Sequence, residues 1–190
     1  MDDPADSSGG RDAAESPDPG PPRGLTLEVV HEAGDWDRFG AVGEAVAAAA
    51  RAIASAPRLD IGRAQACVAL TTDAEIACLN ETYRGKPTPT NVLSFPTGLC
   101  ARAGGVRRLG DIVLAAETIA REANEQGIPP LHHLQHLVVH GVLHLLGFDH
   151  ETDRDAEHME AAEVEILARL GIPNPYGDGE TSPAEASTSP

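Results

Sequence analysis

The sequence predicts an α+β domain in which helices cover a small four-stranded sheet and one buried helix binds a metal. Three observations carry this expectation. Four short apolar runs of strand character are interleaved with segments of helical periodicity in the first two thirds of the chain. The last third reads as consecutive helices, which suggests a layered structure with the sheet on one side. One of those late helices is apolar nearly all round, as a buried helix is, and its polar residues over the last turns are histidines.

Residues 1–23 consist mainly of Asp, Ser, Gly, Pro and Ala, with too little apolar surface to offset the entropy of ordering, and are expected to be a disordered tail. Similar composition at 174–190 predicts a second disordered tail and leaves 24–173 as the folded domain. Leu25 to His31 alternates apolar and polar residues and reads as a strand. An Ala-rich amphipathic helix is expected from about Trp36 to Ala56, then a second strand from Ala64 to Leu70. Thr72 caps the next helix, with Glu75 completing a capping box, and that helix should run to about Tyr83. Asn91 to Phe95, stopped by Pro96, is the third strand, and Asp111 to Ala115, preceded by Gly110, is the fourth. Helices follow at about Glu117 to Gln126, Pro130 to Leu146 and Asp153 to Leu170.

A folded portion of about 150 residues buries roughly 70% of its unfolded surface, enough for stability without disulfides. Cys67, Cys78 and Cys100 are odd in number, far apart and in no CxxC pair, as expected of reduced thiols. The N-terminus is acidic where a secretory signal is basic, and the apolar runs fall short of the roughly 20 residues of a membrane span, so a cytoplasmic protein without a membrane partner is expected.

The net charge of -16 argues against a nucleic-acid partner, since phosphate binding draws on Lys and Arg. Its distribution softens that objection. Residues 84–110 hold Arg84, Lys86, Arg102, Arg107 and Arg108 and no acid, whereas residues 149–165 hold eight acids and one arginine. The plain reading of the acidic stretch is a solvated helix face.

The informative segment is His140-Gly-Val-Leu-His144-Leu-Leu-Gly147-Phe-Asp149-His150. Residues four apart share a helix face, so His140 and His144 direct their imidazoles at a common point. Gly147 suits the left-handed position that ends a helix, and the turn there swings His150 back toward the pair. Each nitrogen of a buried imidazole needs a partner, and a metal supplies one for several at once. Three histidines at this spacing match a tripod for a borderline metal such as zinc, with a fourth position left for water, which zinc acidifies into a nucleophile. A structural site would need a fourth protein ligand, for which Asp149 is the nearest candidate. His132 and His136 continue the ladder of fours but lie outside the expected ligand set; His31, His133 and His158 have no partner in the pattern. Zinc proteases place a Glu base directly after the first histidine of such a pair; here that position is Gly141, which argues against a peptidase.

The segment from His140 to His150 meets in full the signature H-G-x-L-H-L-x-G-y-D-H, and the chain here resembles the YbeY family of endoribonucleases. Tyr83 to Lys86 continuing through Pro89 to Pro96, and Leu109 to Val113, resemble two further blocks of that family; the likeness covers roughly Leu25 to Tyr176. The resemblance implies a single α+β domain, a zinc-type ion on the three histidines, and cleavage of single-stranded RNA in rRNA maturation and ribosome quality control. It therefore implies rRNA and ribosomal particles as partners, and no DNA. The family's functional arginine falls on Arg84, whose planar, permanently charged fork suits phosphate oxygens and the charge that grows on phosphorus during cleavage. Two departures concern how RNA is gripped: the short stretch between Pro96 and Leu109 carries three arginines, and both tails are extra. Asp149 is expected either to orient a histidine or relay a proton, or to cap the turn. The competing expectation is a ribosome-assembly protein in which the metal is structural.

Overall fold

The computed structural model describes residues 24–98, 102–103 and 105–177. The N-terminal tail expected at 1–23, most of the C-terminal one, and Cys100 lie outside the described residues.

The chain runs β1 (Gly24–His31), a 3-10 turn (Asp37–Phe39), α1 (Val42–Ala54), β2 (Arg63–Thr71), α2 (Asp73–Arg84), β3 (Val92–Pro96), β4 (Arg102–Ala103), β5 (Val106–Ala115), α3 (Ala116–Gln126), α4 (Pro130–Leu145) and α5 (Asp153–Arg169). The sheet order is β1-β2-β5-β3, with β4 paired to the start of β5. β1, β2 and β5 are mutually parallel, and α1 is the crossover that such a pairing of β1 with β2 requires. β3 runs antiparallel to β5 at the edge of the sheet.

All four expected strands are present, with two differences. β5 begins five residues before the expected Asp111, and the two-residue β4 folds back onto that extension. Gly110, expected just before the strand, lies inside it, at φ +142, where a Cβ would collide with the Phe95 carbonyl oxygen of β3. Beside it the β2–β5 register shifts between Gln65 and Ala66, the local irregularity that a glycine in a strand often marks. The first helix also starts later than its periodicity suggests. Gly40, at φ +83, separates Trp36 and Phe39 from α1, although both rings are buried in the same core. In α2 the Thr72 cap is present, but the Glu75 carboxylate accepts from the Thr71 hydroxyl rather than closing the box on Thr72.

Alternate residues of the strands feed two cores. Ile112 and Leu114 point toward α1, α3, α4 and α5, while Leu93, Val113 and Ala115 meet Ile76 of α2 on the other face. α4 lies deepest. Leu134, Val138, Val139, Val142 and Leu143 are fully buried, each contributing about 1.5–3 kcal/mol relative to exposure. Its approach to the sheet is set by Gly141, where a Cβ would stand 3.0 Å from Ile112 and 3.1 Å from the Ser94 hydroxyl.

Gly141→Ala is expected to cost about 1–3 kcal/mol through overpacking, read as a lowered urea midpoint at unchanged m-value. A wild-type midpoint would mean that Ile112 yields without strain.

Candidate metal centre

The site is built at the C-terminal end of α4. His140 and His144 lie one turn apart, with their Nε2 atoms 3.1 Å from each other. The helix then ends in a Schellman turn: Gly147, at φ +95, gives its N–H to His144 O, and Phe148 gives its N–H to Leu143 O. That reversal brings His150 over the pair, with ring centroids 6.0 Å from His140 and 5.1 Å from His144. One ligand nitrogen from each of the three lies within 4.8 Å of the others, so the group could hold a metal ion. The expected convergence is observed.

The hydrogen bonds around the rings test whether a cation fits. His140 Nδ1 donates to Glu163 Oε1 at 2.6 Å, and His144 Nδ1 donates to the Phe148 carbonyl at 3.0 Å. With each Nδ1 carrying the proton, a neutral ring has a bare lone pair on Nε2. Two lone pairs facing each other at 3.1 Å repel, and a cation accepted by both satisfies them. Burial, together with the neighbouring His140 and His150, holds the His144 pKa below the usual histidine value, so this ring favours the neutral form that ligates. His140 and His144 are half-buried and His150 is exposed, so the group opens to solvent on one side.

Asp149 caps the turn, its Oδ1 accepting the His150 backbone N–H at 2.7 Å. His136 lies outside the tripod and meets Glu163. His133, which has no partner in the sequence pattern, is buried against Glu122, and the same Glu122 oxygen accepts from Asn91 just before β3.

The residue that sequence reasoning missed is Glu163. Its place in the acidic stretch suggests a solvated face, yet its side chain has no exposed surface. Burial raises its pKa, but hydrogen bonds from His136, His140 and Tyr176 outweigh that and hold it at about 2. The signal was available: Met159, Ala162, Ile166 and Leu167 form the buried stripe of α5, and Glu163 interrupts it. Tyr176, which composition alone assigns to the tail, reaches back to Glu163 through its hydroxyl.

The tripod forms one wall of a cleft of about 540 Å³. Arg84, the last residue of α2, lines the same cleft from an exposed position, and half-buried Thr90 and Asn91, just before β3, and Ser94 within it line it too. The sequence-predicted residues thus share one cavity.

A mixed-sheet α+β domain whose histidine tripod could hold a metal ion and opens onto a cleft lined by Arg84 has the arrangement of a hydrolase. The family model described as endoribonuclease YbeY matches residues 41–171, and the chain belongs to that family. Among its relatives are the proteins named endoribonuclease YbeY of Parvibaculum lavamentivorans, 51% identical over 81% of this chain and 86% of that one, and of Rhodopseudomonas palustris, 50% identical over 78% and 80%. A Bradyrhizobium protein of the same name is 48% identical over 82% of this chain and 94% of its own. The solution structure of TM1509 from Thermotoga maritima shares the fold at a TM-score of 0.50 and 23% identity, covering 83% of this chain and 100% of that one.

Purified protein is expected to carry one metal per chain, and His144→Ala none, by elemental analysis. Wild-type metal content in that variant would remove His144 from the ligand set.

Proposed function

We propose that the chain is a single-strand-specific, metal-dependent endoribonuclease that matures rRNA ends and takes part in ribosome quality control. As a member of its family it is an endoribonuclease, a hydrolase of internal RNA phosphodiester bonds. The observation that carries the mechanistic reading is the shared cleft: three converging imidazoles and one guanidinium face the same open volume.

His140, His144 and His150 would hold the ion, with zinc favoured by three neutral nitrogen donors. When bound, such an ion supplies Lewis acidity at the scissile phosphodiester. Arg84 places its planar fork on the phosphate oxygens and neutralises the charge that grows there during cleavage. Asn91, held by Glu122, offers polar contacts on the β3 side of the cleft. The exposed Tyr83 ring, 66% accessible and packed edge-on against Phe95, stands next to Arg84 in sequence as a stacking surface for an unpaired base. Stacking of that kind favours single strands, whose bases are splayed out.

Ribosomal particles follow as partners and the cytoplasm as the location. Among the described residues no helix is long and apolar enough to cross a membrane. The folded domain is taken as residues 24–173, followed by a segment in which Tyr176 reaches back to Glu163 of α5. A structural role for the metal is the competing reading. The exposed position of His150 and the opening of the tripod onto a cleft favour catalysis.

Arg84→Glu is expected to keep its metal and lose about 10²–10³-fold in cleavage of single-stranded RNA; normal cleavage would remove Arg84 from the mechanism. Stripping the metal is expected to abolish cleavage while the melting temperature stays within a few degrees. Collapse of the fold, with no cleavage at any metal load, would establish the structural role instead.

A further inference from the structure

Glu163 is a carboxylate with no exposed surface, and among the described residues both its ion-pair partners are histidines. Its two oxygens divide the work. Oε1 accepts from His140 Nδ1 at 2.6 Å, while Oε2 meets His136 Nε2 at 3.4 Å and the Tyr176 hydroxyl. A buried charge without a permanent cation beside it is costly, so a carboxylate retained in such a place calls for an explanation.

The explanation lies one bond away. A carboxylate on Nδ1–H fixes the ring's tautomer and rotation and makes the opposite nitrogen a better electron-pair donor. The opposite nitrogen of His140 is the Nε2 that faces His144. We propose that Glu163 is the positioning residue of the metal centre and that Tyr176 locks it, so that the segment following α5 is a working part of the site. The proposal rests on the reading of the tripod as a metal site.

The backbone supports the lock. Gly171, at φ +71, ends α5 in a second Schellman turn, with Gly171 N–H to Ala168 O and Ile172 N–H to Leu167 O. Ile172 packs against the core, and Asn174 Oδ1 accepts the Tyr176 N–H at 2.9 Å. The Tyr176 ring meets His136 edge-on, at 6.2 Å and 88°. Tyr176 and His136 thereby occupy Oε2 and leave Oε1 to His140 alone. Tyr176 also lies beyond the 41–171 match to the family model, so the match itself assigns it no part in the site.

The test uses the full chain, zinc as the probe, and two variants. Zinc affinity is measured by competition with a chromophoric chelator, and the His140 tautomer by long-range ¹H–¹⁵N spectra of the metal-free protein. Wild type is expected to show His140 protonated on Nδ1. Glu163→Gln should give mixed tautomers and about 10–100-fold weaker zinc binding. Tyr176→Phe should fall between the two. If Glu163→Gln fails to fold, Tyr176→Phe, on a side chain at the surface, interrogates the same network. Wild-type affinity and tautomer in both variants, with only a lowered melting temperature, would show that Glu163 merely joins α4 to α5 and would overturn the proposal alone. A wild-type chain that takes up no zinc would overturn the tripod reading and this proposal with it.

Discussion

Two imidazole nitrogens held 3.1 Å apart with lone pairs converging form an arrangement that a protein does not adopt by default. Each ring would relax away unless its other nitrogen were tied down. Here one is tied to a buried carboxylate and the other to a turn carbonyl. The surrounding architecture serves that constraint. α4 is rigid because its apolar residues are buried on several sides. The Schellman turn at Gly147 brings the Phe148 carbonyl to His144 and, two residues later, His150 to the pair.

Gly141 joins the packing of the fold to the chemistry of the site. In sequence it reads as a missing general base. In the structure it is the point where α4 meets Ile112 and Ser94, so even a Cβ there presses on those two side chains. The position that carries a carboxylate in zinc proteases is here taken up by helix–sheet contact. The open side of the tripod faces β3 and Arg84 instead.

Much of this was legible from residue order. The i, i+4 histidine pair, the glycine stop and the third histidine are local features, and a local pattern specifies a local geometry. Most strands and helices followed from periodicity for the same reason. Three of the misreadings share a different cause, since each of those depends on a partner distant in the chain. Gly110 falls just outside the expected strand until Phe95 is placed across from it. Glu163 looks solvated until α5 is laid against α4. Tyr176 looks like tail until its hydroxyl finds Glu163. Trp36 and Phe39 fit a helical pattern because both are buried, although Gly40 breaks the helix between them and α1.

The locality of the tripod also bears on the order of folding. The three ligands span only residues 140 to 150, whereas residues paired between β1 and β2, such as Gly24 and Arg63, are about forty positions apart. Loop closure costs about 0.6 kcal/mol more for each doubling of length, so closing the short ring is about 1.2 kcal/mol cheaper than closing the long one. Contacts of short range form early, and parallel pairing forms late. The helix end and its turn can therefore bring the three imidazoles near one another before the sheet has assembled, and Glu163 fixes the His140 ring only when α5 docks on that end.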